Sequence, residues 1–121
     1  MSRQRYSGIE YCGSGATPTA QNAMTAAGAV SLTTYCTAVN TTTGSGHAST
    51  LADGARVGQL KKIALVVDGG DLVLTVASMA GGNTVTFADA GDWIELQWDG
   101  VQWVPIAYAG AVDAGPAIST A

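Results

Sequence analysis

The chain has 121 residues, 16 of them Gly, a formal net charge of −4, and only 12% charged residues. Typical domains carry about 25% charged residues, so this surface is not built to face water alone; an acidic body also argues against nucleic acid, which needs a basic footprint. The length predicts one domain with a single core. Neither a signal-peptide core nor a run of about 18 apolar residues occurs, so the sequence reads as a protein made in a cytoplasm, with no membrane partner, that stays soluble or leaves inside a larger particle.

Residues 1–27 read as an extended N-terminal arm. Small and turn-prone residues dominate it, with a short helical turn allowed over 21–27. Arg3 and Arg5 are its only basic residues. With Tyr6 and Tyr11 they are the candidate partner-binding residues: carboxylates on a partner would meet the arginines, and apolar pockets the tyrosines. Cys12 and Cys36 read first as buried thiols, with a bridge between them the lesser alternative. From Ala29 to Val39 the β pattern begins, placing Val30, Leu32 and Cys36 on one face and Ser31, Thr33 and Tyr35 on the other. A flexible loop around His47 follows, then a short strand over 48–51.

The central stretch is the most strongly patterned. Leu60 to Val67 runs into Asp68-Gly69-Gly70-Asp71, and Leu72 to Val76 runs out, which predicts a two-residue hairpin. Its register would set Val67 against Leu72, Leu65 against Leu74 and Ile63 against Val76, an aliphatic face. Thr84 to Phe87 is a further strand. In Trp93 to Trp98, alternation places Ile94, Leu96 and Trp98 on one face and Trp93, Glu95 and Gln97 on the other. Asp99-Gly100 predicts a tight turn that sets Trp98 against Val101 and Leu96 against Trp103. Pro105 marks an edge or a bulge. Short strands recurring about every 10 residues predict an all-β fold, an antiparallel β-sandwich or barrel of jelly-roll type. The expected organisation is an arm (1–27), a β domain (28–110) and a C-terminal tail (111–121).

Chemistry-bearing groups are few. His47 has no ligand-spaced neighbours and reads as an ordinary loop histidine. The pairs Asp68/Asp71 and Asp89/Asp92 lack the ligand density of a calcium loop and read as turn caps. No metal, cofactor or catalytic residue is expected. Trp98 and Trp103 read as core. Trp93, on the opposite face, suits a sugar-stacking platform or a subunit contact, and the low surface charge favours the contact. Trp93, Glu95 and Gln97 are therefore the candidate subunit interface.

An ordered series of short motifs carries a resemblance: Ala29-Val30-Ser31-Leu32-Thr33-Thr34, Leu51-Ala52-Asp53-Gly54, Val57-Gly58-Gln59-Leu60-Lys61, Asp68-Gly69-Gly70-Asp71, Gly81-Gly82-Asn83-Thr84-Val85-Thr86-Phe87, Gly91-Asp92, and Leu96-Gln97-Trp98-Asp99-Gly100-Val101-Gln102-Trp103. Over about residues 29–104 the array resembles small virion structural proteins of tailed bacteriophages, marine and cyanobacterial ones especially. These include head decoration (cement) proteins and tail or fibre modules. The resemblance implies a non-enzymatic homotrimer on the virion capsid surface, with the major capsid protein as partner. The alternative it implies is a trimeric tail-fibre or head-fibre module that binds host-surface glycans.

Overall fold

The computed structural model describes residues 21–41, 47–110 and 115–119. These form ten strands: β1 (Gln21–Met24), β2 (Gly28–Ala29), β3 (Cys36–Asn40), β4 (His47–Leu51), β5 (Leu60–Val67), β6 (Leu72–Val76), β7 (Thr84–Phe87), β8 (Trp93–Trp98), β9 (Trp103–Ala109) and β10 (Ala117–Ser119). The front sheet has the order β1-β3-β5-β8-β9 and the back sheet β10-β7-β6-β4-β2. Their inner faces share one core: Val39, Ile63, Leu65, Ile94, Leu96, Trp98 and Trp103 from the front, and Leu51, Leu72, Leu74, Val76, Val85 and Phe87 from the back. The fold is an all-β sandwich, as the alternating pattern predicts. Gln21–Met24, assigned to the arm on sequence grounds, pairs as β1 rather than turning as a helix, and Ala117–Ser119 of the tail pairs with β7.

Strand neighbours differ from the antiparallel expectation. From β1 to β6 the chain alternates between sheets. β1, β3 and β5 run parallel in one sheet, and β2, β4 and β6 run parallel in the other. Three coils are thus stacked side by side, and the later strands add to them antiparallel. The predicted hairpin between β5 and β6 does not form. Residues 68–71 arch from the front sheet to the back, and neither Gly69 nor Gly70 has positive φ. The buried Thr41 makes this arch possible. Its hydroxyl accepts from Gly69 N at 2.9 Å and donates to Gly70 O at 2.7 Å, while its N–H donates to Val67 O at 3.0 Å. Asp68 Oδ1 accepts from Gly70 N at 3.1 Å. Backbone groups that a hairpin would pair with each other are satisfied by side chains instead.

The β8–β9 hairpin does form, with a wider turn than predicted. Trp98 lies opposite Trp103, not Val101. Asp99 Oδ1 accepts from Val101 N and Gln102 N, each at 2.8 Å, and Asp99 N donates to Gln102 O at 3.0 Å, so four residues make the turn. Gly100 has a φ of 103°, a conformation that favours glycine. The register moves by two residues, which preserves the faces. Trp98 and Trp103 therefore both reach the core, edge to face with centroids 5.4 Å apart, and Trp103 Nε1 donates to Ala52 O at 2.9 Å.

The expected strand over 29–39 is broken by a bend at 32–35. Val30 is buried in the core and Leu32 packs against it, but the bend resets the alternation. Cys36 emerges on the outer side of the front sheet, in a separate small cluster with Ala38, Tyr35 and Val66. It is disulfide-bonded, not a free thiol. The sequence's one other cysteine, Cys12, lies outside the described residues.

Candidate functional site

The outer side of the front sheet collects the side chains that the sequence marks as an interface. Alternation in β8 turns Ile94, Leu96 and Trp98 inward, so Trp93, Glu95 and Gln97 face out; Trp93 and Glu95 are half-buried and Gln97 is exposed. Antiparallel pairing with β5 sets Lys62 opposite Glu95 and Ala64 opposite Trp93. On the other flank, β9 places Ala107 beside Glu95 and Ala109 beside Trp93. Trp93 is therefore flanked by alanines in both neighbouring strands, which leaves its indole room against the sheet.

Four side chains on this face contact one another in two pairs. The Tyr35 hydroxyl donates to Glu95 Oε2, and Lys62 Nζ lies 4.5 Å from the centre of the Trp93 ring, a cation–π contact. Burial, then the hydrogen bond to Glu95, then its negative charge, together push the Tyr35 phenol well above its ordinary value. Burial pulls the Lys62 ammonium down, and the Glu95 carboxylate partly offsets this. Sequence reasoning located Trp93, Glu95 and Gln97 on outward positions. It missed Tyr35, because the strand pairing that brings residue 35 beside residue 95 is long-range.

Arg3, Arg5, Tyr6 and Tyr11 lie outside the described residues. His47 is not a loop residue: it is buried at the start of β4, and its backbone N–H donates to Asp71 O at 3.0 Å. Asp92 is 1% exposed, and its Oδ2 accepts from Ala88 N at 3.1 Å and Asp89 N at 3.3 Å, a cap on the turn before β8. Among the described residues no cluster of His, Cys, Asp and Glu is suited to a metal ion.

Lys61 is a buried cation that the sequence reading passed over. It points inward from β5 and is 1% exposed. Its ammonium donates to Thr34 O at 3.0 Å, Thr34 Oγ1 at 3.1 Å and Thr37 Oγ1 at 2.7 Å, tying the 32–35 bend to the end of the core. Burial lowers its pKa to about 8. Neutral oxygens satisfy its three protons without balancing its charge.

Neither a known family model nor a curated protein matches this chain.

Proposed function

We propose that the protein is a virion structural protein, a capsid decoration or cement protein that covers contacts between major capsid subunits. The supporting observation is the outer side of the front sheet. A surface that must be covered by another protein does best when its polar groups are already partnered, because burying an unpaired charge costs several kcal/mol. Tyr35, Glu95, Lys62 and Trp93 meet that condition, and the alanines around them make the surface flat. Cement work is mechanical and needs only area and complementarity: about 800 Å² per partner supports a stable contact.

A fibre module that binds glycans is the second reading. The three parallel coils of β1 to β6 favour it, since stacked coils are how elongated solenoids extend. The Trp93 contact weighs against it: Lys62 sits over the ring where a sugar would stack. The deciding experiment incubates tagged protein with heads and with tails of the phage that encodes it and images both by cryo-electron microscopy. Density on the capsid lattice supports cement function. Density confined to tails or fibres, or none on either, overturns it.

A further inference from the structure

The outer side of the back sheet carries two rows of short side chains. Pairing aligns Ala48, Val73, Thr86 and Ala117 across four strands, and Ala29, Thr50, Thr75, Thr84 and Ser119 across all five. Their chain neighbours Leu51, Leu72, Leu74, Val76, Val85 and Phe87 fill the core, so alternation turns both rows outward. Thr84 is buried, Thr86 is half-buried and the rest are exposed. No strand of this sheet contains Asp, Glu, Lys or Arg. The charged residues of the described chain lie in its loops and on β5 and β8 of the front sheet. This face is on the opposite side of the sandwich from β1 and from the bonded Cys36.

The two rows hold no aromatic ring on which a sugar could stack and no ion to attract a charged partner. They offer an even plane of methyl and hydroxyl groups instead. A hydroxyl both donates and accepts, so a threonine row complements a copy of itself, which a row of carboxylates or ammoniums does not. Alanine and β-branched side chains also have little rotamer freedom to lose when they are covered. The net charge favours the same occupant. At −4 for the whole chain, two copies that meet through an uncharged face avoid like-charge contact.

We propose that this face docks on the same face of a second copy about a twofold axis, back sheet to back sheet. A twofold contact sets one patch against itself, which a self-complementary row allows. Five strands about 4.8 Å apart and about five residues long give a patch on the order of 400 Å². That is about half of what each partner buries in a standard interface, so the pair is weak, with a Kd between about 10 μM and about 1 mM. The pairing is independent of capsid binding, because it leaves the Trp93 face of each copy open.

The test is sedimentation equilibrium on the full chain from about 10 μM to about 1 mM, with Thr75→Lys and Val101→Lys variants. Thr75 is on the middle strand of the patch, and Val101, 76% exposed, is on the turn after β8. Both substitutions change the net charge equally. The expected result is a monomer–dimer equilibrium for the natural protein, a Kd raised more than about tenfold by Thr75→Lys through like-charge repulsion, and a Kd within about twofold for Val101→Lys. Circular dichroism confirms that the variants keep the fold, and Thr50→Lys replaces Thr75→Lys if that form does not. A natural protein that stays monomeric at about 1 mM overturns the proposal, and so does a trimer. A dimer that Thr75→Lys leaves intact, or that Val101→Lys weakens as strongly, overturns it too.

Discussion

Lys61 has a consequence that can be measured as pH dependence. Its pKa falls from 10.5 in the unfolded chain to about 8 in the fold because burial disfavours the charged form. Between those values the unfolded state binds more protons, so stability rises with pH across roughly 8 to 10.5 and the full cost applies below 8. The linked change is on the order of 3 kcal/mol. Denaturant midpoints measured at pH 7, 8, 9 and 10 should climb, and Lys61→Met should remove this group's part of the climb while matching or exceeding the natural protein at pH 7. A flat natural profile would show that Lys61 is solvated. Gly54 gives a steric test at the same scale. A Cβ there would sit 2.5–2.8 Å from Trp98 side-chain atoms. Gly54→Ala should therefore cost about 1–3 kcal/mol by overpacking, with a shift in tryptophan emission. A neutral melt would mean that the 52–59 segment yields easily.

At the scale of elements, the arch at 68–71 carries the chain from one sheet to the other, and the bond at Cys36 gives a second test. Thr41→Val keeps the shape at residue 41 and removes the hydroxyl that serves Gly69 N and Gly70 O. Leaving those groups unsatisfied should lower stability by about 1–3 kcal/mol, read from urea unfolding with an unchanged m-value. A fall in m would point instead to a loosened native state. For Cys36, protein purified without reductant should take up no thiol reagent under denaturing conditions and should react at both cysteines after reduction. Loss of the bond should cost about 2–5 kcal/mol. Labelling of Cys36 without reductant would contradict the bonded state.

For the molecule as a whole, the Trp93 face should respond as a contact surface and not as part of the core. Trp93 is half-buried on the outer side, and its cation–π partner contributes about 0.5–1 kcal/mol. Trp93→Glu should accordingly leave the thermal melt within a few degrees of the natural protein and reduce capsid binding by more than tenfold, measured by co-sedimentation with undecorated heads. Unchanged sedimentation would remove this face from the attachment surface.

Period-2 alternation is a property of the extended backbone itself, so the residues alone specified an all-β chain, the inward set Ile63, Leu65, Leu72, Leu74 and Val76, the core positions of Trp98 and Trp103, and the outward position of Trp93. Alternation assigns a face and not a neighbour. An aliphatic set is buried equally well by two strands lying side by side and by two strands facing each other across a core. The Gly69-Gly70 turn fits the first arrangement, and the structure takes the second because Thr41, distant in sequence, satisfies the arch. Cys36 changes face for a related reason: a single bend at 32–35 interrupts the period on which its assignment depended. Lys61 had the inward parity of Ile63, yet a lysine is accepted there only where oxygens from another segment are in place, and Thr34 and Thr37 are brought to it by the parallel packing of β3 on β5. Contacts between segments this far apart are set by the burial of the whole chain at once, and local pattern carries no record of them.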